Sequence, residues 1–100
     1  MLYSVYCQDR DNTAELREKH LVAHRAHLDQ WNDKIFFSGP LQTDDASASL
    51  GSLFVLNVAD RAEAEGFIFT DTFCNAGIFA SVTIRRMRKG RYNPALIDGL

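Results

Sequence analysis

Six segments of the chain carry apolar residues in patterns typical of regular secondary structure. Four short runs rich in β-branched and aromatic residues predict strands, and two longer segments with apolar residues on one side predict helices. In chain order these are a strand at 2–7, a helix from Asn12 to about 32, strands at 35–38 and 52–58, a helix at 61–69 and a strand at 78–87. Asn12 and Asp60 are expected to cap the two helices. The Gly39-Pro40 pair is expected to end the second strand.

The order β-α-β-β-α-β predicts an α+β, ferredoxin-like fold, with a four-stranded antiparallel sheet and two helices on one face. The other sheet face would stay open, and a large apolar face does not remain in water. We therefore expect a homodimer, with two sheets packed face to face around a twofold axis. Residues 1–100 form one expected domain. The tail at 90–100 either adds to the dimer contact or frays.

Composition and charge exclude several functional classes. The chain has 46% hydrophobic and 24% charged residues and a net charge of -2, which is typical of a globular protein with no overall attraction to nucleic acid or anionic membranes. Cys7 and Cys74 stand far apart and form no CxxC pair. No signal-peptide pattern and no apolar run of membrane-spanning length is present. We expect a cytoplasmic protein with neither a nucleic-acid nor a membrane partner. We interpret the basic run at 85–91 either as a solvated strand end or as a source of salt bridges across the dimer.

Three histidines, His20, His24 and His27, share one face of the first predicted helix. Spacings of four and three place them within a wedge of roughly 60° on the apolar side. His20 and His24 have a spacing that lets two imidazoles share a metal, but His27 lies roughly 10 Å along the helix from His20. No HExxH pattern, nucleotide fingerprint or nucleophile elbow accompanies them. We therefore expect no metal site and no cofactor. Each histidine is either a packed core residue or part of a site.

Four short motifs occur in a characteristic order along the chain. They are HRAHL at 24–28, SGPL at 38–41, DTF at 71–73 and AGIF at 76–79. Their order and spacing resemble the YciI-like (YCII-related) family of small α+β proteins over residues 1–89.

The resemblance implies a dimeric ferredoxin-like protein whose cleft contains a His-Asp pair. The family histidine corresponds to His27 and the family aspartate to Asp71, which makes this pair the expected catalytic residues. Substrate-binding residues are expected at His24, Ser38, Gly39 and Pro40. The chain departs from the family pattern at two positions. Thr72 replaces a proline that usually follows the aspartate, and His24 stands where the family often has arginine.

Two functional classes remain open. The first is an enzyme of lyase, dehydrohalogenase or isomerase type, acting without a cofactor on a small aromatic or lactone-like molecule. His27 would then be the general acid or base, and Asp71 would orient it. The second is a non-catalytic dimeric module that binds a small ligand or a partner protein, with structural histidines. The geometry around His27 distinguishes the two.

Overall fold

The computed structural model describes all 100 residues and contains four strands and three α-helices. The strands are β1 (Leu2–Asp9), β2 (Ile35–Gln42), β3 (Ser49–Asn57) and β4 (Phe79–Met87). The helices are α1 (Ala14–Gln30), α2 (Arg61–Phe69) and the short α3 (Thr72–Asn75), and a 3₁₀ turn follows at Pro94–Ile97. The predicted order of elements is confirmed, and α3 is an additional element between α2 and β4.

The four strands form one antiparallel sheet in the order β2-β3-β1-β4. Tyr3, Val5 and Cys7 alternate along β1 and join the buried core, which also contains Phe67 and Ile68 of α2. Leucines of α1, and Trp31 directly after its last residue, pack against the same core. Both long helices therefore cover the same sheet face, and the predicted ferredoxin-like α+β fold is confirmed.

The opposite sheet face is open in the single chain. Tyr6 lies between Val5 and Cys7 on β1, so it points to the other side, where it is 41% exposed. Leu53 and Val55 pair with β1 on that side and are only half-buried. The chain has an accessible surface of 6903 Å², whereas a monomer of 11.3 kDa typically exposes roughly 5,700 Å². Two helices thus leave more surface in water than is usual for a protein of this size.

The Gly39-Pro40 pair does not end β2, contrary to the sequence prediction. The strand continues through both residues to Gln42, and Pro40 lies opposite Ser52 of β3. Because β2 is an edge strand, one of its sides has no neighbour, and a proline there costs no ladder hydrogen bond. The edge position depends on the assembled sheet and is not visible in the local sequence.

The two predicted helix caps have different outcomes. Asp60 caps α2 as predicted, because its side chain accepts a hydrogen bond from the backbone N–H of Glu63 at 2.9 Å. Asn12 does not cap α1, which begins at Ala14. Asn12 instead adopts a left-handed backbone with φ of 60°, a conformation that asparagine tolerates better than most residues.

The C-terminal tail leaves the end of β4 and returns across the sheet toward β2. The ring of Tyr92 packs against Phe36, with 5.3 Å between centroids. Leu96 and Leu100 are strongly exposed beyond that contact. The tail is therefore attached to the domain at Tyr92, while its last apolar side chains contact little of their own chain. None of the helices combines the length and the apolar character needed to cross a bilayer.

Gly51 is required by the close approach of β3 to β1. A Cβ atom at this position would lie 2.1 Å from the backbone oxygen of Cys7. The backbone oxygen of Gly51 also accepts a hydrogen bond from Arg17 at 3.0 Å. A side chain here would push β3 away from β1 and displace Arg17.

We predict that Gly51→Ala lowers the free energy of unfolding by about 1–3 kcal/mol or more, because the methyl group overlaps backbone atoms that cannot move independently. Gly66→Ala is the matched control, since a Cβ at this position of α2 meets nothing within 4 Å. That control should be neutral or stabilising, because alanine favours helix. Urea denaturation followed by circular dichroism measures both variants. Equal stability of the two would contradict the predicted overlap.

Candidate functional site

His24 and Asp71 form a buried pair between α1 and α3. The Nδ1 atom of His24 lies 2.7 Å from Oδ1 of Asp71, and the two residues are 7% and 0% exposed. Asp71 directly precedes α3, but its side chain makes no capping bond to that helix. Instead, the carboxylate turns toward α1 and accepts a hydrogen bond from the imidazole.

Phe73 fixes the plane of the same imidazole. Its ring stacks on His24 with centroids 3.8 Å apart and an angle of 3° between the planes, and Phe54 meets His24 edge-on at 6.4 Å. The carboxylate and the stacking ring are therefore supplied by residues only two positions apart, Asp71 and Phe73. Together they leave the imidazole little freedom to rotate.

The contact with Asp71 also determines which nitrogen of His24 is available for chemistry. A carboxylate accepts, so Nδ1 carries the hydrogen and Nε2 of the neutral ring has a free lone pair. Nε2 makes no hydrogen bond within the protein, and it is not among the fully buried unpartnered atoms. The free nitrogen therefore reaches solvent.

The prediction that Asp71 pairs with His27 is corrected by this geometry. The Nε2 atom of His27 lies 2.7 Å from the backbone oxygen of Phe67 in α2, and the His27 ring packs on the Phe67 ring with centroids 5.3 Å apart. Three residues of helix correspond to about 4.5 Å along the axis. His24, which lies beside α3, and His27, which lies beside α2, are therefore about one turn of α1 apart.

A cleft of about 270 Å³ opens beside His24, between α1 and strands β2 and β3. Its lining residues are Arg17, Leu21, His24, Arg25, Leu28, Ser38, Gly39, Pro40, Ser52, Phe54 and Phe73. The sheet register explains the strand contribution, because Ser38 lies opposite Phe54 and Pro40 opposite Ser52, and all four face the helices. The structure thus brings all the residues that the sequence suggested for substrate binding to one cleft.

Arg17 is a cleft residue that sequence reasoning missed. Its guanidinium binds the carboxylate of Asp9 through Nε at 2.7 Å and Nη2 at 2.9 Å. Nη2 also donates to the oxygen of Gly51 and, at 3.1 Å, to the hydroxyl of Ser52. The guanidinium carbon lies 5.1 Å from the centre of the Phe73 ring. The spacing in the sequence could have identified Arg17, because it precedes His24 by seven residues and therefore shares its face of α1.

The two cysteines lie near this pair but are not reactive groups at neutral pH. Burial, and then the nearby Cys74 and Asp71, raise the pKa of Cys7 to about 12. Burial also raises the pKa of Cys74. Both thiols therefore stay protonated, and a protonated thiol is a poor nucleophile. Neither thiol lines the cleft, whereas the imidazole of His24 does.

A larger, open concavity of about 710 Å³ shares Arg17 with the cleft. Its other lining residues are Tyr6 and residues 8–14 and 47–50. It contains no histidine, whereas the smaller cleft contains His24. No group of three or more histidine, cysteine or acidic residues comes together in a way that could hold a metal ion.

We predict opposite tautomers for two histidines of α1. Neutral His24 should carry its hydrogen on Nδ1, and neutral His27 on Nε2, because each donates to a protein oxygen through that atom. Long-range ¹⁵N–¹H correlation spectra distinguish the tautomers. Asp71→Ala should remove the Nδ1–H preference of His24 and leave His27 unchanged, so His27 is an internal control. A tautomer change at His27 alone would restore the pairing that the sequence suggested.

The comparisons with known proteins agree with this fold. The model of the YCII-related domain matches residues 1–88. Protein YciI of Escherichia coli O6:H1 is 26% identical over 96 residues, covering 89% of this chain and 98% of the relative, and Protein YciI of Shigella flexneri gives the same values.

One solved structure resembles the chain strongly. It is the 5-chloro-2-hydroxyhydroquinone dehydrochlorinase TftG of Burkholderia phenoliruptrix, in complex with 2,5-dihydroxybenzoquinone. It has a TM-score of 0.83 and 29% sequence identity, and the match covers 90% of this chain and 96% of the other. The domain match over residues 1–88, together with these relatives, shows that the chain belongs to the YCII-related family.

Proposed function

We propose that this protein is an enzyme that performs acid–base chemistry on a small ring molecule without a cofactor. His24 is the proposed general acid or base and Asp71 the residue that orients it. The observation that carries the proposal is the buried His24–Asp71 pair, whose free Nε2 atom opens into a cleft. A carboxylate that fixes the imidazole tautomer is a recurring arrangement in acid–base catalysis.

The size of the cleft supports a single-ring substrate. A cavity of about 150 Å³ holds benzene, and drug-sized ligands fill about 300–1,000 Å³. At about 270 Å³, this cleft suits one six-membered ring with a few substituents. Its apolar side chains would contact the ring, and Ser38 and Ser52 offer hydroxyl groups. We propose Ser38, Gly39 and Pro40 as substrate-contacting residues on the β2 side.

The dehydrochlorinase relative, at 29% identity, supports elimination as the reaction class. On a chlorinated hydroxyhydroquinone, His24 would take a hydroxyl proton and return it to the carbon that bears chlorine, converting that hydroxyl to a carbonyl. Loss of a second hydroxyl proton then releases chloride with the electron pair of the C–Cl bond. The products are a hydroxyquinone, a proton and chloride. Because chloride carries the electron pair away, no oxidant is required.

We predict that His24→Gln lowers kcat/KM for 5-chloro-2-hydroxyhydroquinone by about 100-fold or more, because general acid–base catalysis typically contributes 10²–10⁴-fold. Asp71→Asn should also lower the rate, since it weakens the orientation of the imidazole. Chloride release and quinone absorbance measure the reaction. His20→Gln is the matched control on the same helix and should retain the wild-type rate.

The same assay tests the alternative of a non-catalytic binding module. The wild-type protein could bind the ring compound yet release chloride no faster than the reaction without protein. That result would favour the binding module and contradict the proposed enzyme activity. A rate that falls in His27→Gln but not in His24→Gln would move the catalytic role to His27.

We also propose that the protein acts as a homodimer in the cytoplasm. The open face, which exposes Tyr6, Phe37 and Met87, and the large surface area of the single chain support face-to-face packing of two sheets. The exposed apolar tail, attached to Phe36 of β2 through Tyr92, would add to this contact. Free cysteines suit a reducing compartment.

We predict that light scattering after size exclusion gives about twice the chain mass of 11.3 kDa at micromolar concentration. Tyr6→Glu should shift the protein toward the monomer, because the carboxylate would be buried in the sheet-to-sheet contact. Val22→Glu is the control, since Val22 is 83% exposed on α1, away from the open face. A wild-type monomer would contradict the proposed dimer.

A further inference from the structure

One buried position of β3 holds a polar residue where the alternation of the strand predicts an apolar one. Ser52, Phe54 and Leu56 alternate along β3 and face the helices, with exposures of 4%, 2% and 0%. A hydroxyl group that is withdrawn from water costs free energy unless it is hydrogen-bonded. Ser52 also lines the cleft beside His24. Its hydroxyl group therefore needs partners either in the protein or in the cleft.

The protein satisfies the Ser52 oxygen but not the Ser52 hydroxyl hydrogen. Nη2 of Arg17 lies 3.1 Å from Oγ, and because a guanidinium has no acceptor, Oγ accepts in this bond. No protein atom accepts the hydroxyl hydrogen in return. The same Nη2 atom is held by Asp9 at 2.9 Å and by the backbone oxygen of Gly51 at 3.0 Å, so the donor that fixes Oγ is itself fixed. The O–H group of Ser52 is therefore a positioned donor that is free to serve the cleft.

We propose that Ser52 is a specificity-determining residue whose hydroxyl donates to one oxygen of the substrate ring, while His24 Nε2 exchanges a proton at another position of that ring. The two groups are neighbours in one cleft. Phe54 meets the His24 ring edge-on, and Ser52 lies two residues, or about 7 Å, along the strand from Phe54. The inference deepens the function proposed above and rests on it. It names the substrate class as single rings that carry at least two oxygen substituents.

A series of neutral phenols tests this selection. A site that hydrogen-bonds a substrate oxygen discriminates against an analogue without it, because the polar group of the site is then left unpaired. Phenol has one ring oxygen, and catechol, resorcinol and hydroquinone carry a second one at the ortho, meta and para position. All four compounds are uncharged at neutral pH, since a phenolic hydroxyl ionises only near pH 10. Differences among them therefore report the second oxygen and its position rather than charge.

We expect the wild type to bind at least one of the three diols about fivefold or more tightly than phenol, and this preference to fall below about twofold in Ser52→Ala. Ser52→Cys preserves the shape of the side chain but offers only a weak donor, so it should lose the same preference. Ser49→Ala is the matched control, because Ser49 is exposed on the same strand and lies outside the cleft. It should keep the wild-type preference. Titrations followed by nuclear magnetic resonance give the dissociation constants and show that each variant is folded.

Three results would overturn the inference. They are a wild type that binds phenol as tightly as every diol, Ser52 variants that keep the diol preference, and a loss in those variants that is equal for phenol and the diols. The last result would assign Ser52 to packing alone.

Chloride release separates this inference from the proposed function. Turnover of the chlorinated ring without a diol preference that depends on Ser52 would reject the inference and leave the acid–base enzyme standing. A preference that depends on Ser52 in a protein that releases no chloride would reject the enzyme and leave ring recognition by Ser52 standing. Failure of the wild type to bind any of the four rings would reject both.

Discussion

The hydrogen bond between His24 and Asp71 is the interaction on which the cleft depends. A carboxylate with no solvent exposure is stable only if other groups compensate the hydration that it loses. Asp71 has this one side-chain contact, and its second oxygen has no partner within the protein. Removing one member of a buried charged pair typically costs about 3–5 kcal/mol. The position of α3 against α1 is therefore tied to the imidazole that faces the cleft, so the geometry of the cleft and the local packing cannot vary independently.

The same arrangement occurs twice along α1. Asp9 lies behind Arg17 as Asp71 lies behind His24, and each carboxylate accepts from the basic group that lines the cleft. Arg17 and His24 are two helical turns apart and share the ring of Phe73. Each carboxylate fixes the orientation of its basic partner from behind, so the cleft keeps a basic surface.

The sequence predicted the elements well because their signals are local. The apolar periodicity of 61–69 and the cap at Asp60 define α2 correctly, and alternation identifies the strands. The exceptions depend on tertiary position. Pro40 sits inside β2 because β2 is an edge strand, and this becomes evident only once the sheet order is known. Helical periodicity also placed the histidines on the inward face, and His24 is indeed buried there.

Periodicity gives the angle of a residue around a helix but not the partner that it meets along the axis. For that reason His24 and His27 could not be separated by pattern, and the family motif named as the partner of Asp71 a histidine one turn further along α1 than the observed one. Arg17 was missed for a related reason, because an arginine on the edge of an apolar face resembles a solvated residue until Asp9 is seen beside it.

The departure at Thr72 shows how the fold compensates for a missing local restraint. A proline after Asp71 would hold the aspartate in an extended conformation. Asp71 has that conformation without the proline, with φ of -69° and ψ of 137°. Its N–H donates to Ile68, and its carbonyl accepts from Asn75, so backbone hydrogen bonds on both sides fix the residue. The side chain adds the bond to His24. Asp71 is thus positioned by α2, α3 and α1 together. The orientation of the imidazole depends on these three helices rather than on the ring of a proline after Asp71.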